Sequence, residues 1–398
     1  MNKISTYLLC ISLFFLYSCG TNTEEKIEFE SIAFDVGFKN NPTLQGIYCD
    51  KNTQIEEVFF VKDSISPRIL FFETQSGSLS DSINLNAIAT IIGRISKVSI
   101  LNKDSIILMS TNSNRIIGID RECNIHFNHD LKKLLHSNGN IYSFHPSMLP
   151  TAVHNNHSII LGTTWKGNKE KKTYKTPYDE YIDCYRNYCH SAQLCKIDSI
   201  YNKHPTITWG LKEYYINQIS ATVKPYFEYN TLYYLFNDQI IYANYYDKNI
   251  HRLNVETLEI EESKLMIPKT LNLLSSIKFK GEIDPEDALL ELQNRKNSDY
   301  VCNILYSNDY KEYYIFIKTG IDNSTTDELG YTFSIMTYSN HFDFIKELKI
   351  DSTDLLPQGA LLSNKGILIE TLNSESENGV RVFCVIDNKS KVELEDNK

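Results

Sequence analysis

The chain has 398 residues, and its 50 acidic side chains outnumber its 40 basic ones, which gives a net charge of -10 at pH 7. A protein that binds a polyanion needs a concentrated cationic face, so this balance argues against nucleic acid and anionic lipid surfaces as partners. The 26 tyrosines and 19 phenylalanines favour a β-rich fold, and the length is compatible with one large all-β domain.

The amino terminus has the pattern of a secretory signal. Lys3 supplies one positive charge, and eleven mainly apolar residues follow from Tyr7 to Tyr17. A membrane-spanning helix needs about 20 apolar residues, whereas a charged start, a short apolar core and small residues indicate a signal peptide. We therefore predict that residues 1–18 form a signal peptide.

The signal ends in Leu16-Tyr17-Ser18-Cys19-Gly20, which resembles the bacterial lipobox. The resemblance implies that the thiol of Cys19 receives a diacylglycerol and that Cys19 begins the mature chain, with residues 19–26 as a lipidated tether. Acyl chains contribute about 0.8 kcal/mol per buried methylene, so the membrane would be one partner, through this anchor. The alternative is a plain secreted protein that is cut nearby.

Six later segments share one pattern, in which an apolar strand is followed by an acidic or polar residue, a polar turn and another strand. They begin at Arg68, Asn114, Ala192, Gln239, Tyr331 and Val380, and their marker residues after the first strand are Glu73, Asp120, Asp198, Asp247, Ser339 and Asp387. The markers are 47, 78, 49, 92 and 48 residues apart. A period near 48 with two insertions indicates a repeated supersecondary unit.

About four strands fall in each repeat, which is typical of a β-propeller blade. We predict an all-β six-bladed propeller of four-stranded antiparallel blades over residues 27–398, with insertions near 165–190 and 264–298. A strand between Lys26 and Phe34 is predicted to join the last blade and close the ring. The second insertion contains the one predicted helix, Asp284 to Lys296, in which Asp284 caps the helix and Pro285 begins it.

Three cysteines and a histidine lie close together at Cys184, Cys189, His190 and Cys195. A c-type haem attachment with a widened gap, a zinc site and a local disulfide each fit these residue types. The interpretation that we prefer is buried thiols at the edge of a β-sheet, with no cofactor and no metal. Cys49, Cys123, Cys302 and Cys384 are predicted to lie in or beside strands as small apolar residues.

Candidate binding residues lie in and beside the first insertion, because bulky amphipathic side chains in loops are often contact residues. They are Trp165, Tyr178, Tyr181 and Arg186. The histidine pairs His126 with His129 and His154 with His157 have the spacing of a metal site on a helix or loop, but each pair lies at a strand end, so we interpret them as solvated loop residues. No nucleophile elbow, zincin helix, phosphate-binding glycine loop or dinucleotide motif occurs.

The lipobox and the blade pattern together resemble the lipoproteins of Bacteroidetes whose mature part is a TolB-like six-bladed propeller of unknown function. The resemblance implies a bacterial envelope protein, lipid-anchored at the outer membrane on its periplasmic or surface face, and it carries no catalytic motif. We expect a binding module for an envelope protein, a peptide or a glycan. The alternative is an envelope hydrolase or lyase whose acids and histidines converge only in the folded ring.

Overall fold

The computed structural model describes residues 30–37, 44–49, 55–62, 67–110, 113–135, 141–144, 152–154, 158–166, 192–210, 231–236, 239–244, 249–265, 299–318, 332–350, 352, 354–372 and 379–386. The chain divides into two units, Met1–Glu30 and Ser31–Lys398. Glu30 is the one described residue of the first unit, and the other described residues belong to the second.

The described residues form 25 strands and two short helices. In chain order the strands are β1 (Glu30–Asp35), β2 (Leu44–Cys49), β3 (Glu56–Lys62), β4 (Arg68–Glu73), β5 (Leu79–Asn84), β6 (Lys97–Asn102), β7 (Ser105–Ser110), β8 (Arg115–Ile119), β9 (Ile125–Asp130), β10 (Ile141–Phe144), β11 (Ala152–His154), β12 (Ser158–Lys166), β13 (Ala192–Asp198), β14 (Thr206–Gly210), β15 (Thr231–Phe236), β16 (Gln239–Asn244), β17 (Asn249–Asn254), β18 (Ile260–Leu265), β19 (Tyr300–Ser307), β20 (Glu312–Lys318), β21 (Phe333–Ser339), β22 (Phe344–Ile350), β23 (Leu355–Ser363), β24 (Gly366–Thr371) and β25 (Val380–Ile386). Helix α1 spans Asn86–Ile92, and helix α2 spans Leu131–Leu135.

The strands pair into six small antiparallel sheets, which are the blades of a six-bladed propeller, as the sequence predicts. Blades 1 to 5 are β2–β5, β6–β9, β10–β14, β15–β18 and β19–β22, and blade 6 has the order β1-β25-β24-β23. In blade 3 the first strand is split, because β10 and β11 pair with successive parts of β12. The first strands of neighbouring blades contact one another in the cycle β2, β6, β11, β15, β19, β23 and back to β2.

The amino-terminal strand closes the ring. β1 lies beside β25 as the outer strand of blade 6, which confirms the predicted closure. Val36 and Gly37 continue the contact, and both donate their N–H groups to the carbonyl of Gly379, over 2.9 and 3.1 Å. The ring of Phe34 is fully buried and packs within 5.8 Å of Phe60, Phe72 and Phe383 (centroid to centroid). Closure therefore joins blade 6 to blade 1 through an aromatic core.

The blades bury both of their faces against their neighbours. Ile107 and Met109 of β7 pack towards Ile159 and Ile197 of blade 3, and Ile106 of the same strand packs towards blade 1. A strand covered on both faces becomes almost continuously apolar rather than alternating, as in "SIILMS" of β7. A lone four-stranded sheet could not bury both faces, so each blade is stable only between its neighbours.

The marker residue of blade 4 differs from the predicted one. The third strand of this blade is β17, so the marker position at the end of the third strand is Asn254 and not Asp247, which lies outside the described residues between β16 and β17. The intervals on either side of this marker become 56 and 85 residues. The pattern of strand, acidic residue, turn and strand fits any hairpin. In blade 4 it matched the hairpin between the second and third strands and not the one between the third and fourth.

The true marker residues cap the turn between the third and fourth strands. Oδ1 of Asp120 accepts N–H bonds from Glu122 and Asn124, over 3.0 and 2.8 Å, and Asn254 and Ser339 do the same in blades 4 and 5. Each turn then contains one left-handed residue, namely Gly77, Cys123, Leu258 and Phe342, with φ between 57° and 69°. The marker residues therefore stabilise the turns between the third and fourth strands.

Both described helices were missed by the sequence patterns. α1 connects blades 1 and 2 and buries Ile88 and Ile92, and α2 follows β9 with Leu131 buried. The predicted helix at Asp284–Lys296 and most of the two insertions lie outside the described residues. In the described part of the chain, no helix combines the length and the hydropathy that crossing a bilayer would require.

Candidate functional site

The two faces of the ring differ in what they carry. Because adjacent strands run in opposite directions, the turns that follow the first and third strands of each blade lie on one face, which we call the hairpin face. The opposite face, which we call the insertion face, carries the strand ends that flank residues 167–191, 211–230, 266–298 and 319–331. Loops positioned by a rigid scaffold often carry function, so the insertion face is where a binding site is expected.

Among the polar residues in the insertion-face halves of the inner strands are Gln45 in β2, Lys97 in β6 and Asn303 in β19. With the segment Pro357–Ala360 of β23, we call them the inner rim. Polar groups in a packed interior are normally hydrogen-bonded, so each one requires a physical account.

The segment Pro357–Ala360 is a bulge that both neighbouring blades hold in place. Its residues have no partners in β24, because the register shifts between Leu356 and Leu361. Asn303 Nδ2 from blade 5 donates to the carbonyls of Pro357 and Ala360, over 3.1 Å each. Gln45 Nε2 from blade 1 donates to the carbonyl of Gly359 over 3.0 Å. Bulges often lie next to functional sites, where they redirect side chains.

Gln45 also contacts a buried ion pair. Glu370 of β24 is 5% exposed, and its Oε1 lies 2.6 Å from Arg381 Nη1, although the two atoms are not aligned as a hydrogen bond. Burial raises the pKa of Glu370, while Arg381 and a hydrogen bond from Gln45 act in the opposite direction. Oε1 of Gln45 is sealed from solvent and has no hydrogen-bond partner among the described residues. Among the described residues, the seam between blades 6 and 1 therefore has two buried acceptors without a hydrogen bond, Gln45 Oε1 and Glu370 Oε1.

Lys97 is the second rim residue with unused hydrogen-bonding capacity. It is 8% exposed and lies opposite Met109 of β7. Burial alone lowers the pKa of its amine to about 7. No carboxylate or other polar group within the described ranges pairs with it. A buried lysine without a counter-ion is rare and is a candidate for function.

A further buried charge lies between blades 1 and 2 and is fully paired. Glu57 of β3 is 4% exposed, and one of its carboxylate oxygens lies 2.9 Å from Lys103 Nζ. Ser80 donates to the same carboxylate, and Lys103 also lies 3.4 Å from Asp81. The ammonium of Lys103 sits 4.8 Å from the ring centroid of Phe71. This cluster joins two blades and leaves no group unpaired for a ligand.

The turns of the hairpin face hold each blade to the one before it. The contacts between blades are Arg121 Nη2 to Asp81 (2.8 Å), His129 Nε2 to the Ile200 carbonyl (2.5 Å), Lys196 Nζ to Glu256, Lys264 Nζ to Asp343 (2.8 Å) and Lys365 Nζ to the Gln75 carbonyl (3.1 Å). They cover five of the six seams. Asp81, Glu256 and Asp343 of these turns therefore stabilise the ring.

Acid and histidine side chains do not form a catalytic pair at the rim in the described parts of the blades. His126 Nε2 lies 3.9 Å from Asp120 Oδ2, but this contact is in an outer turn, and hydrogen bonds from Asn124 are the main cause of the lowered pKa of Asp120. Burial raises the pKa of Glu56 at the hairpin face, and Asp309 adds a small contribution. In the same residues, no group of three or more acids, cysteines and histidines could hold a metal ion.

Most of the site residues predicted from the sequence lie outside the described residues. These are Cys19, Tyr178, Tyr181, Cys184, Arg186, Cys189, His190 and His157. The backbone of Trp165 lies in β12 opposite Tyr142, at the insertion face. His154 is the last residue of β11, His126 lies in β9 and His129 contacts the next blade.

Cys195 is the one described member of the cysteine cluster. Its thiol is free and fully buried in β13, opposite Leu161 and Trp209, and burial raises its pKa. This is the environment of a small apolar residue within a sheet. The thiols of Cys123, Cys302 and Cys384 are also free, and these three residues and Cys49 lie in or beside strands, as predicted.

The rim residues were missed by the sequence patterns. Gln45 and Asn303 occur in "LQGIYC" and "YVCNILYS", where one polar residue interrupts an apolar strand. That interruption was a usable signal, because a lone polar residue in a strand covered on both faces must find a partner. Lys97 gave no such signal, since a lysine at the first position of a strand usually reaches solvent.

No protein-family model matches the chain, and no curated protein matches it. Among solved structures, it is similar to a member of the DUF4221 family from Bacteroides vulgatus, with a TM-score of 0.62 and 14% identity over 89% of this chain and 96% of that chain. At this identity the likeness shows the propeller fold alone.

Two other solved structures are less similar. A protein of unknown function from Bacteroides caccae has a TM-score of 0.35 and 9% identity, over 79% of this chain and 82% of that chain. Virginiamycin B lyase from Staphylococcus aureus has a TM-score of 0.39 and 9% identity, over 90% of this chain and 100% of that chain. Likenesses with TM-scores below 0.5 do not bear on activity.

Proposed function

We propose that the protein is a lipoprotein of the bacterial envelope whose propeller binds a ligand or a protein partner at the inner rim. The observation that carries the binding role is the nearly buried amine of Lys97 on an inner strand, unpaired among the described residues, together with the bulge that Gln45 orders across the seam. Both lie at the insertion face, where the strands that flank the long insertions end. Sites for small ligands typically combine apolar walls with a few convergent polar groups.

The envelope role is supported by the sequence of the amino terminus. A charged start, a short apolar core and the lipobox-like Leu16 to Cys19 together favour lipid attachment at Cys19. Metabolic labelling with a fatty acid tests this. The wild-type protein is expected to carry the label and a Cys19→Ala variant is expected to lack it; label on the variant would refute the anchor.

A second function, an envelope hydrolase or lyase, is favoured by one observation. Glu370 is a buried carboxyl whose pKa is raised, and it lies beside Gln45 at the rim. A general acid or base needs such a perturbed group. Its ion pair with Arg381, however, gives Glu370 a structural role that needs no substrate.

The binding role is tested by capture from an envelope extract on the immobilised mature protein. One stoichiometric protein or glycan is expected to bind the wild type and to be lost from an Asn303→Ala variant, while a Gln75→Ala variant, changed at the exposed hairpin face, retains it. An empty capture combined with turnover of a glycan or ester panel would refute the binding role in favour of the enzyme. Equal capture by both variants would place the site elsewhere.

A further inference from the structure

The position of Lys97 sets what its side chain can do. In antiparallel pairs, directly opposite residues share a face, so Lys97 lies on the same face of blade 2 as Met109, which packs against blade 3. The next residue, Val98, packs on the opposite face, towards blade 1. The N–H of Ser96 donates to the Met109 carbonyl over 2.7 Å, which fixes the start of the strand. Lys97 is therefore held between blades 2 and 3 at the insertion face.

The amine of Lys97 is buried but not sealed. The side chain is 8% exposed, and the described part of the chain supplies no acceptor or counter-ion to it. Some side-chain atoms of the described residues are sealed from solvent and also lack a hydrogen-bond partner, but Lys97 Nζ does not combine both properties. Because it has no such partner, the nitrogen must retain contact with solvent.

The surroundings of Lys97 favour an uncharged amine. Taking an ammonium ion out of water is unfavourable unless a counter-ion compensates, and the neutral amine avoids this penalty. The cost of burial lowers the pKa of Lys97 to about 7, so about half of the protein carries a free nitrogen lone pair at neutral pH. An ordinary lysine at the same pH has only a few molecules in ten thousand in that form.

We propose that Lys97 is a carbonyl-capturing residue, which binds a small aldehyde or ketone at the inner rim as an imine. A lysine whose amine is desolvated by burial, as that of Lys97 is between blades 2 and 3, is the group that forms such adducts. This inference deepens the proposed binding role by naming a ligand class, and it rests on the rim being the site. Binding of an anion by Lys97 is less favoured, because the described rim residues supply no second cationic donor beside it.

The chemistry balances without an oxidant or a reductant. The lone pair of Nζ adds to the carbonyl carbon, the carbonyl oxygen takes up a proton, and the nitrogen loses one. The resulting carbinolamine then expels its oxygen as water, which leaves a carbon–nitrogen double bond to Nζ. Hydrolysis reverses each step, so the captured molecule is released unchanged.

The test is reductive trapping on the purified mature protein. Propanal and sodium cyanoborohydride at pH 7 convert each imine into a stable propyl-lysine, which peptide mass spectrometry assigns to a position. Lys97 is expected to be modified roughly ten-fold faster than Lys349, which is exposed at the end of β22. In a denaturing concentration of urea the advantage is expected to disappear.

Equal or slower modification of Lys97 would overturn the proposal, and so would an advantage that persists in urea, since neighbouring residues in the sequence and not burial would then be responsible. A Lys97→Met variant confirms the peptide assignment. Trapping does not depend on the extract experiment. Failure of capture from the extract with fast trapping at Lys97 would refute the proposed partner binding alone, whereas slow trapping with successful capture would refute the imine alone.

Discussion

The side-chain amide of Gln45 in β2 donates to the carbonyl of Gly359 in β23 over 3.0 Å, which joins two inner strands that are 314 residues apart in sequence. The bond spans the seam where the ring closes. It also orders the bulge that blade 6 presents at the inner rim, so closure of the ring and formation of the candidate site depend on the same side chain.

Gln45→Ala is expected to lower the free energy of unfolding by about 1–2 kcal/mol, because the Gly359 carbonyl loses its donor in a partly buried place. The matched control is Gln75→Ala, which removes an exposed amide on the hairpin face and should change stability by less than about 0.5 kcal/mol. Urea unfolding of both variants measures the difference. Equal effects would mean that the rim amide is not a seam contact.

Gly77→Ala is expected to be clearly more destabilising than Gly93→Ala. Both glycines have left-handed φ, +69° and +67°, so both substitutions carry a backbone cost of about 1–2 kcal/mol. A Cβ at Gly77 would also lie 2.6 Å from the carbonyl oxygen of Ala33 in β1, whereas one at Gly93 meets nothing within 4 Å. The difference in thermal or urea unfolding reports the contact of blade 1 with the closing strand. Identical losses would contradict that contact.

Lys97 is expected to make stability rise with pH. Its folded pKa of about 7 lies below the ordinary value of 10.5, so between these values the unfolded chain binds more protons than the folded one, and the free energy of unfolding increases with pH. Below pH 7 both states are protonated and the full burial penalty remains. Between pH 7 and pH 9 the gain from this one group is about 2 kcal/mol.

The variant Lys97→Met isolates that contribution, since all other titrating groups are shared. Urea unfolding at pH 7 and pH 9 should show that the free energy of unfolding of the wild type, relative to that of the variant, rises by about 2 kcal/mol between the two pH values. A constant difference between the two proteins across this range would show that Lys97 has an ordinary pKa, which would also remove one support of carbonyl capture.

Asn254→Ala is expected to cost about 1 kcal/mol, because two N–H groups of the turn, those of Glu256 and Thr257, lose their acceptor. Asn254→Ser keeps an acceptor, as Ser339 does in blade 5, and should retain most of the stability. Chemical unfolding distinguishes the two variants. If Asn254→Ala is neutral, Asn254 is not the turn cap of blade 4.

The sequence predicted the fold well where the pattern was local. Apolar strands separated by Asp, Asn and Ser turns gave the hairpins of most blades, and the apolar alternation that ends at Phe34 gave the closing strand. The predicted marker residue of blade 4 was wrong, because Asp247 and Asn254 both follow apolar strands and both precede polar turns. A local pattern cannot decide which hairpin of a blade it belongs to.

The candidate site could not be predicted in the same way, because its properties arise from contacts between distant strands. Asn303 and Gln45 become rim residues only when β23 bulges between them. Lys97 becomes a buried amine only when blade 3 packs over the face that it shares with Met109. Burial of a particular side chain depends on packing that no strand specifies alone.

Closure by β1 is the claim on which the inner rim depends, and truncation tests it most directly. A chain that begins at Ile27 retains β1, whereas a chain that begins at Gly37 lacks it and exposes the edge of β25 together with Phe60 and Phe383. The account predicts that the first chain unfolds at the same urea concentration as the mature protein, and that the second is destabilised by several kcal/mol or self-associates. A monomeric second chain with an unchanged urea midpoint would contradict it.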